Sequence, residues 1–281
     1  WSNTRLWRSN SRNADVPASR PLIALLTDFG ERDWFVASMK GVILTLNPGA
    51  RVVDISHQIP SHQIDEASYV LGACYRHFPE GTIYVCVVDP GVGSARRALL
   101  ATTSRYCFLA PDNGLLSHVL EHERDVKIRQ IEDARYRLPA EGATFDGRDL
   151  FAPVAALLAN GEPPSFFGPV INDPMKSLVW APQQQGQILI GRIEYIDRFG
   201  NLISNVTAKQ VREFQATIGL AKIEIHIGTH IVTKLVGSYS QGDGQSPAAL
   251  INSGGFLEIF LQEENAARCL QVDVGAELRL C

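Results

Sequence analysis

The sequence predicts an α/β N-terminal domain with a largely parallel sheet, followed by a smaller, antiparallel, β-barrel-like C-terminal domain. Three observations carry that expectation. Continuous apolar runs alternate with stretches of helical periodicity through the first half of the chain. A segment rich in Pro, Gln and Gly at 162–187 then holds no long periodic run. Beyond it come only short β-like segments with Gly-containing turns. Alternating strands and helices bury a parallel sheet between helical layers, whereas closely spaced short strands build antiparallel sheets or barrels.

The elements follow in order. Residues 22–27 (LIALLT) read as a buried strand feeding a loop at Asp28-Phe29-Gly30. Apolar residues at helical spacing over 34–46 stop at Asn47-Pro48-Gly49, a helix ending. A short strand at 51–55 precedes a helix at 64–78, which Pro79-Glu80-Gly81 ends. Residues 82–88 (TIYVCVV) are a third buried strand, ending in Asp89-Pro90-Gly91. A strand pair at 98–102 and 106–109 leads through Pro111-Asp112-Asn113-Gly114 into a short helix, and 149–159 is another helix. After the linker, 188–196, 223–227, 231–236, 248–251 and 256–261 read as strands. The domain boundaries are set at 21–170, a linker at 171–187, and 188–281.

Composition excludes several function classes. The chain has 281 residues, 26 Lys and Arg against 30 Asp and Glu, and a net charge of −4. No basic surplus is left to hold a nucleic-acid backbone. No apolar run approaches the roughly 20 residues that span a bilayer, so neither nucleic acid nor membrane is expected as a partner. The five cysteines are odd in number and hold no CxxC, which argues against a disulfide scaffold or a zinc site and for a reducing, cytoplasmic setting. Residues 1–20 carry four Arg and one acidic residue, and lack the apolar core of a secretory signal. They read as a disordered arm or a trimmed remnant, with an Arg/Ser-rich organellar targeting segment as the sharper alternative.

In open α/β sheets ligands collect at the carboxyl ends of strands, where Asp28 and Asp89 are both expected. An ionised Asp28 offers two acceptor oxygens, matching the neighbouring hydroxyls of a ribose; a turn cap is the plainer reading. In Val87–Arg97, the glycines allow a loop that brings Asp89 to Arg96, a pair suited to binding and polarising a water. The loop is not a nucleotide P-loop, because GxxxxGK[ST] is absent. Thr144-Phe145-Asp146-Gly147-Arg148-Asp149 stands directly before a helix, where Asp146 is a cap candidate. Asp197 and Asn201, four apart across a Gly turn, read either as a grip on an amino acid's ammonium and carboxylate or as a hairpin turn. Asn252-Ser253-Gly254-Gly255, with Asn265 and Ala266 beyond, presents backbone groups for an adenine edge or a carboxylate, or is a plain turn. The seven histidines give no zincin or other ligand spacing, and a metal cluster of Asp28, Asp54, His57 and Asp89 is the weakest reading. No metal is expected.

Taken in order, TDFG, VVDPGVGSARR, PDNGLL, TFDGRDLFAP, YIDRFGN and NSGGFLEI resemble the S-adenosylmethionine (SAM) hydroxide adenosyltransferases, relatives of the SAM-dependent fluorinase and chlorinase. The resemblance runs from Pro21 to Leu280. It implies an N-terminal α/β and a C-terminal barrel-like domain, and a homotrimer with active sites between neighbouring subunits. It also implies hydrolysis of SAM at ribose C5′ to adenosine and methionine, with SAM as substrate and no cofactor. On this resemblance Asp28 holds the ribose hydroxyls, Asp197, Asn201 and Ser253 hold the methionine part, and Asn265 and Ala266 lie near the adenine. The hydrolase triad of Asp, Arg and His falls on Asp89, Arg96 and position 146.

Position 146 departs from the pattern: the family's TFHGRD is TFDGRD here. An ionised carboxylate neither donates a hydrogen bond nor carries positive charge. Two carboxylates beside one water repel, which raises the pKa of one of them. Three outcomes stand open: a slowed hydrolase in which a protonated Asp146 donates, a SAM or adenosine binder without turnover, or a substitution introduced to trap the site. The first ranks highest. Halide transfer ranks lowest, because the fluorinase carries Tyr, Thr and Ser where this chain has Asp89, Val92 and Gly147, and an anionic pocket repels halide. The fluorinase's long insertion is also absent around 103–106.

Overall fold

The computed structural model describes residues 22–177, 180–219 and 223–281. The N-terminal arm at 1–20 lies outside them.

The first half builds a seven-stranded sheet. Its strands are β1 (Leu22–Thr27), β2 (Arg51–Ser56), β3 (Ile83–Val87), β4 (Ala98–Thr102), β5 (Cys107–Pro111), β6 (Lys127–Gln130) and β7 (Val170–Ile171). Their spatial order is β2-β1-β3-β5-β4-β6-β7. The first four positions run parallel, and β4, β6 and β7 add an antiparallel wing. The sheet is thus mixed rather than uniformly parallel.

Helices cover both faces. The helices are α1 (Phe35–Leu46), α2 (Ile64–Cys74), α3 (Ser117–His122) and α4 (Ala152–Ala159). Alternation along the central strands explains why both faces need cover. Ile23, Leu25, Ile83, Val85 and Val87 point into one core with Met39 of α1 and Val154 of α4. Ala24, Leu26, Tyr84, Cys86 and Val88 point into the other with Leu71 of α2 and Val119 of α3. Strands buried on both faces read as unbroken apolar runs, the pattern seen in LIALLT and IYVCV.

The second half is an antiparallel sheet of β8 (Gln183–Gln185), β9 (Ile188–Ile196), β10 (Leu202–Thr207), β11 (Ile225–Ile227), β12 (His230–Val232), β13 (Ala248–Ile251), β14 (Phe256–Phe260) and β15 (Glu277–Leu280). Its order is β12-β11-β15-β9-β10-β14-β13, with β8 paired to β9. Helices α5 (Ala208–Ile218) and α6 (Ala266–Leu270) complete it. Val211 and Phe214 of α5 join Leu270 of α6 and the strand side chains in a separate core.

The structure adds elements that the sequence reading left out: β6, β7, β8, β10, β15, α5 and α6. The start of α5 carries a signal that was available. Thr207 accepts a hydrogen bond from the Gln210 N–H while the Gln210 side chain accepts one from Thr207, a reciprocal cap. The segment read as a linker is tied to the first domain before it reaches β8. Asp173 pairs with Arg97, the Met175 N–H donates to Asp112, and the Ser177 N–H donates to Ser117. Among the described residues no helix is long and apolar enough to cross a membrane.

Candidate functional site

Two strand ends form the floor of the first candidate site. Thr27 pairs with Val87 in the parallel β1–β3 register, so the segments leaving both strands emerge side by side. Asp28 follows β1 directly, and its Oδ2 accepts the His62 N–H at 2.9 Å. Below it Thr27 Oγ1 lies 2.8 Å from His57 Nδ1, and His57 Nε2 lies 3.1 Å from Asp54, which also takes Lys40 at 2.6 Å. Asp54 and His57 therefore serve each other and Lys40, and do not join Asp28 and Asp89 around one centre.

The loop after β3 returns Arg96 to Asp89. Arg96 Nε donates to Asp89 Oδ2 at 2.8 Å, and Nη2 also reaches that oxygen. Asp89 Oδ1 is buried and accepts no hydrogen bond from the protein. The loop is braced from behind, where the Asn113 side-chain amide donates to the Val88 carbonyl at 2.8 Å. Arg97 turns the other way, to Asp112 and Asp173. The PDNG motif thus supports the VVDPGVGSARR loop.

Asp146 comes from the start of the long helical segment. Arg96 Nη2 donates to Asp146 Oδ2 at 2.5 Å, and Arg137 Nη1 donates to Oδ1. Asp89, Arg96 and Asp146 side chains are only 4%, 12% and 5% exposed. Burial pushes the Asp146 carboxyl up, but hydrogen bonds and charge from Arg137 and Arg96 outweigh it and hold it below the usual carboxylate range. The expected like-charge effect, which would raise this pKa and leave a protonated donor, is therefore reversed. The causes are Arg96 and Arg137, the second a residue that sequence reasoning missed because no motif contains it.

The local fold explains how Arg137 arrives. Gly147–Phe151 form a π turn leading into α4, and Pro153 sits in the first turn of α4. Proline has no N–H to give the carbonyl four residues back. That carbonyl, of Asp149, accepts the Leu138 N–H instead at 2.8 Å. The segment at 134–138 is thereby held along the helix start, with Arg137 against Asp146. Gly147 sits in a tight place: a Cβ there would lie 3.1 Å from Met39 Sδ and 3.3 Å from the Phe29 and Phe145 rings. Those rings, with Trp34 and Phe35, form an edge-to-face cluster, and Trp34 is 57% exposed.

The second group of sequence-nominated residues lies in the C-terminal domain. Asp197–Asn201 make the turn between β9 and β10. Asp197 Oδ1 accepts the Phe199 and Asn201 N–H groups, and Oδ2 accepts the Asn201 amide, all at 2.9 Å. Gly200 has φ +87°, and a Cβ there would fall 2.2 Å from the Asn265 side chain. Asn265 caps α6 by accepting the Arg268 N–H. Ser253 is exposed on the turn between β13 and β14. Ala266 is fully buried beneath Asn265, so its side chain belongs to the core. Buried Glu258 takes the Tyr239 hydroxyl and the Asn252 amide, and burial with the Asp197 charge raises its pKa despite them.

A cavity of about 240 Å³ lies elsewhere, between α2, α3, β9 and the 274–275 turn. Asp65, His118, Arg192 and Glu194 line it, and none of the nominated residues does. Nearby, Tyr69 of α2 stacks on Tyr195 of β9 with ring centres 4.8 Å apart. The histidine reading needs correction here. His118, Glu121 and His122 of α3 each place a ligand atom within 4.8 Å of the others, an i, i+3, i+4 spacing that was passed over. His118 Nε2 faces Glu194 at 3.3 Å, and Glu121 and His122 are exposed.

Comparisons with known proteins fall in line with these motifs. The family model for the SAM hydroxide adenosyltransferase N-terminal domain matches residues 23–168, and that for the C-terminal domain matches 191–279. The (R)-S-adenosyl-L-methionine hydrolase of Thermus thermophilus is 34% identical over 92% of this chain and 98% of its own length. The enzyme of that name from Methanocaldococcus jannaschii is 35% identical over 92% and 95%. A crystal structure of an uncharacterized conserved protein from Thermotoga maritima superposes with a TM-score of 0.84 at 31% identity, covering 92% of this chain and 99% of that one. The chain belongs to the SAM hydroxide adenosyltransferase family.

Proposed function

We propose that the protein hydrolyses S-adenosylmethionine at ribose C5′, giving adenosine and methionine, with SAM as substrate and no cofactor. The carrying observation is Asp89. One of its oxygens is pinned by Arg96, and the other is buried with no protein donor. A buried acceptor without a partner is a place for a water or a ligand group. A water held there attacks C5′ opposite the sulfur. The C5′–O bond forms, the C5′–S bond breaks, and its electron pair stays on sulfur, which leaves as the neutral thioether of methionine. The water's proton passes to Asp89 and on to solvent. No acid is needed at sulfur, so the catalytic work is orientation and electrostatic support for the developing hydroxide, supplied by Arg96.

Asp28 at the adjoining strand end takes the ribose hydroxyls. Asp197, Asn201 and Ser253 take the methionine ammonium and carboxylate, and Asn265 takes the adenine edge, with Ala266 supporting it from below. These two groups meet between copies of the chain in a homotrimer. Each carries an exposed aromatic, Trp34 at 57% and Phe199 at 75%, suited to cover by a neighbour. Halide transfer is disfavoured by the two carboxylates and by Gly147, where a serine Cβ would crowd Met39 and Phe29.

The test is chromatography of nucleosides after incubation with SAM, with and without chloride, beside Asp146→His. Adenosine and methionine from the unaltered protein support the proposal. SAM binding without adenosine from either protein replaces it with a binding role. Mixing Asp89→Asn with Asp197→Asn chains tests the shared site: activity returns on mixing only if each site draws on two chains.

A further inference from the structure

We propose that Arg137 is a positioning residue of this site, one that allows an aspartate to stand at position 146 by supplying the positive charge the substitution requires. The inference rests on the hydrolase reading above. The geometry that carries it is an unbroken chain of four side chains. Asp89 is held by Arg96, Arg96 is shared with Asp146, and Asp146 is held from its far oxygen by Arg137.

Charge bookkeeping shows why the fourth member matters. An Asp, Arg and neutral His at these three positions sum to zero. With Asp146 ionised the three sum to minus one, inside a pocket whose carboxylates are nearly unexposed. A buried carboxylate without compensation is costly. Arg137 returns the sum to zero. It also gives Asp146 Oδ1 a donor of its own, leaving Oδ2 to fix Arg96 from the side opposite Asp89. Arg96 then has one orientation, and Asp89 keeps its second oxygen for the water.

No other described charge does this. Arg148, on the same turn, folds back on its neighbour Asp149 with both guanidinium contacts. Met39, Phe29 and Phe145 close in around Gly147 and carry no charge. The bond from Leu138 N–H to the Asp149 carbonyl is what sets Arg137 in reach.

The experiment is a cycle of Arg137→Gln and Asp146→His, with Arg137→Lys as the conservative variant, read as kcat and KM for SAM across pH. Arg137→Gln alone is expected to lower kcat roughly 10- to 100-fold, the range for losing a hydrogen-bonded charge partner. KM should stay within about 3-fold if Arg137 acts only through Asp146. The acid limb of the kcat profile moves to higher pH, because Asp146 loses the partner that keeps it ionised, and Arg137→Lys restores most of the shift. In the Asp146→His background the same substitution changes kcat less than about 3-fold, there being no carboxylate left to neutralise. Equal losses in both backgrounds, or an unmoved acid limb, overturn the proposal. If no variant forms adenosine, the hydrolase reading has failed instead. Carboxyl-carbon NMR then still decides the charge coupling: an Asp146 pKa that does not rise in Arg137→Gln overturns it.

Discussion

The two halves of the candidate site are held together by different forces. The strand-end cluster joins residues 7, 9 and 50 positions apart through side-chain ion pairs that bury both carboxylates and leave Arg137 half-exposed at the rim. The C-terminal cluster is local: Asp197 is satisfied by donors within four residues of itself, most of them backbone N–H groups. The first exists only when the whole sheet has formed and, on the proposed mechanism, places its charge where charge develops in the displacement. The second is a turn whose geometry is almost complete in five residues, and it suits recognition of a ground-state zwitterion. Losses in the first half should therefore fall on turnover and stability together, and losses in the second on binding.

Arg96→Met breaks the comparison most severely. It leaves buried Asp89 with no cationic partner and Asp146 with Arg137 alone, and removing one partner of a buried pair costs about 3–5 kcal/mol. Urea unfolding should show that loss, and adenosine formation should fall about 1000-fold. A variant that keeps wild-type stability would mean that the pocket is wetter and less coupled than the geometry implies. Gly200→Ala attacks the other half through the backbone. Its φ of +87° and the Asn265 side chain at 2.2 Å leave no place for a methyl. The expected cost is about 1–3 kcal/mol, with a raised KM for SAM. An unchanged KM would remove Asn265 and the turn from the binding surface.

Asp197→Asn against Asp89→Asn sharpens the division of labour. Loss of a charged acceptor for the substrate ammonium should raise KM about 10- to 100-fold and leave kcat nearly alone. The Asp89 change should do the reverse. If both substitutions lower kcat equally, recognition and chemistry are not divided between the domains.

Much of this contrast was legible in the sequence, and the illegible part has a physical pattern. Doubly buried strands announce themselves as apolar runs, so β1, β3 and β5 were readable. Asp28 and Asp89 followed from their places at strand ends, and Arg96 from the glycine-rich loop that returns it to Asp89. Helix α5 was marked by the Thr207–Gln210 cap but hidden by its polar composition, because only Val211 and Phe214 are buried. Arg137 was invisible, since its place depends on the Leu138 N–H bonding the Asp149 carbonyl, eleven residues later in the chain. The charge state of Asp146 was misjudged for the same reason: two carboxylates were counted and only one arginine. Local chemistry can be read from local sequence, whereas a buried charge balance needs every member in view.

The smallest predicted effect separates the two halves by pH. Asp146 has a folded pKa below its unfolded value near 3.8, because Arg137 and Arg96 outweigh the desolvation that opposes them. Its stabilisation is therefore complete above that value and lost as pH falls through the folded pKa. Glu258, beside Asp197, has a folded pKa above its unfolded value near 4.5, because burial and the Asp197 charge outweigh the hydrogen bonds from Tyr239 and Asn252. Its contribution is complete below 4.5 and lost as pH rises through the folded pKa. The strand-end cluster thus gains stability with rising pH where the C-terminal cluster loses it. Urea midpoints measured from about pH 3 to 7 should show Asp146→Asn flattening the slope below 3.8 and Glu258→Gln flattening it above 4.5, each by about 1 kcal/mol or less. A Glu258→Gln slope that matches the unaltered protein above 4.5 would show that neither burial nor the Asp197 charge shifts Glu258, and that the C-terminal half is electrostatically simpler than its packing suggests.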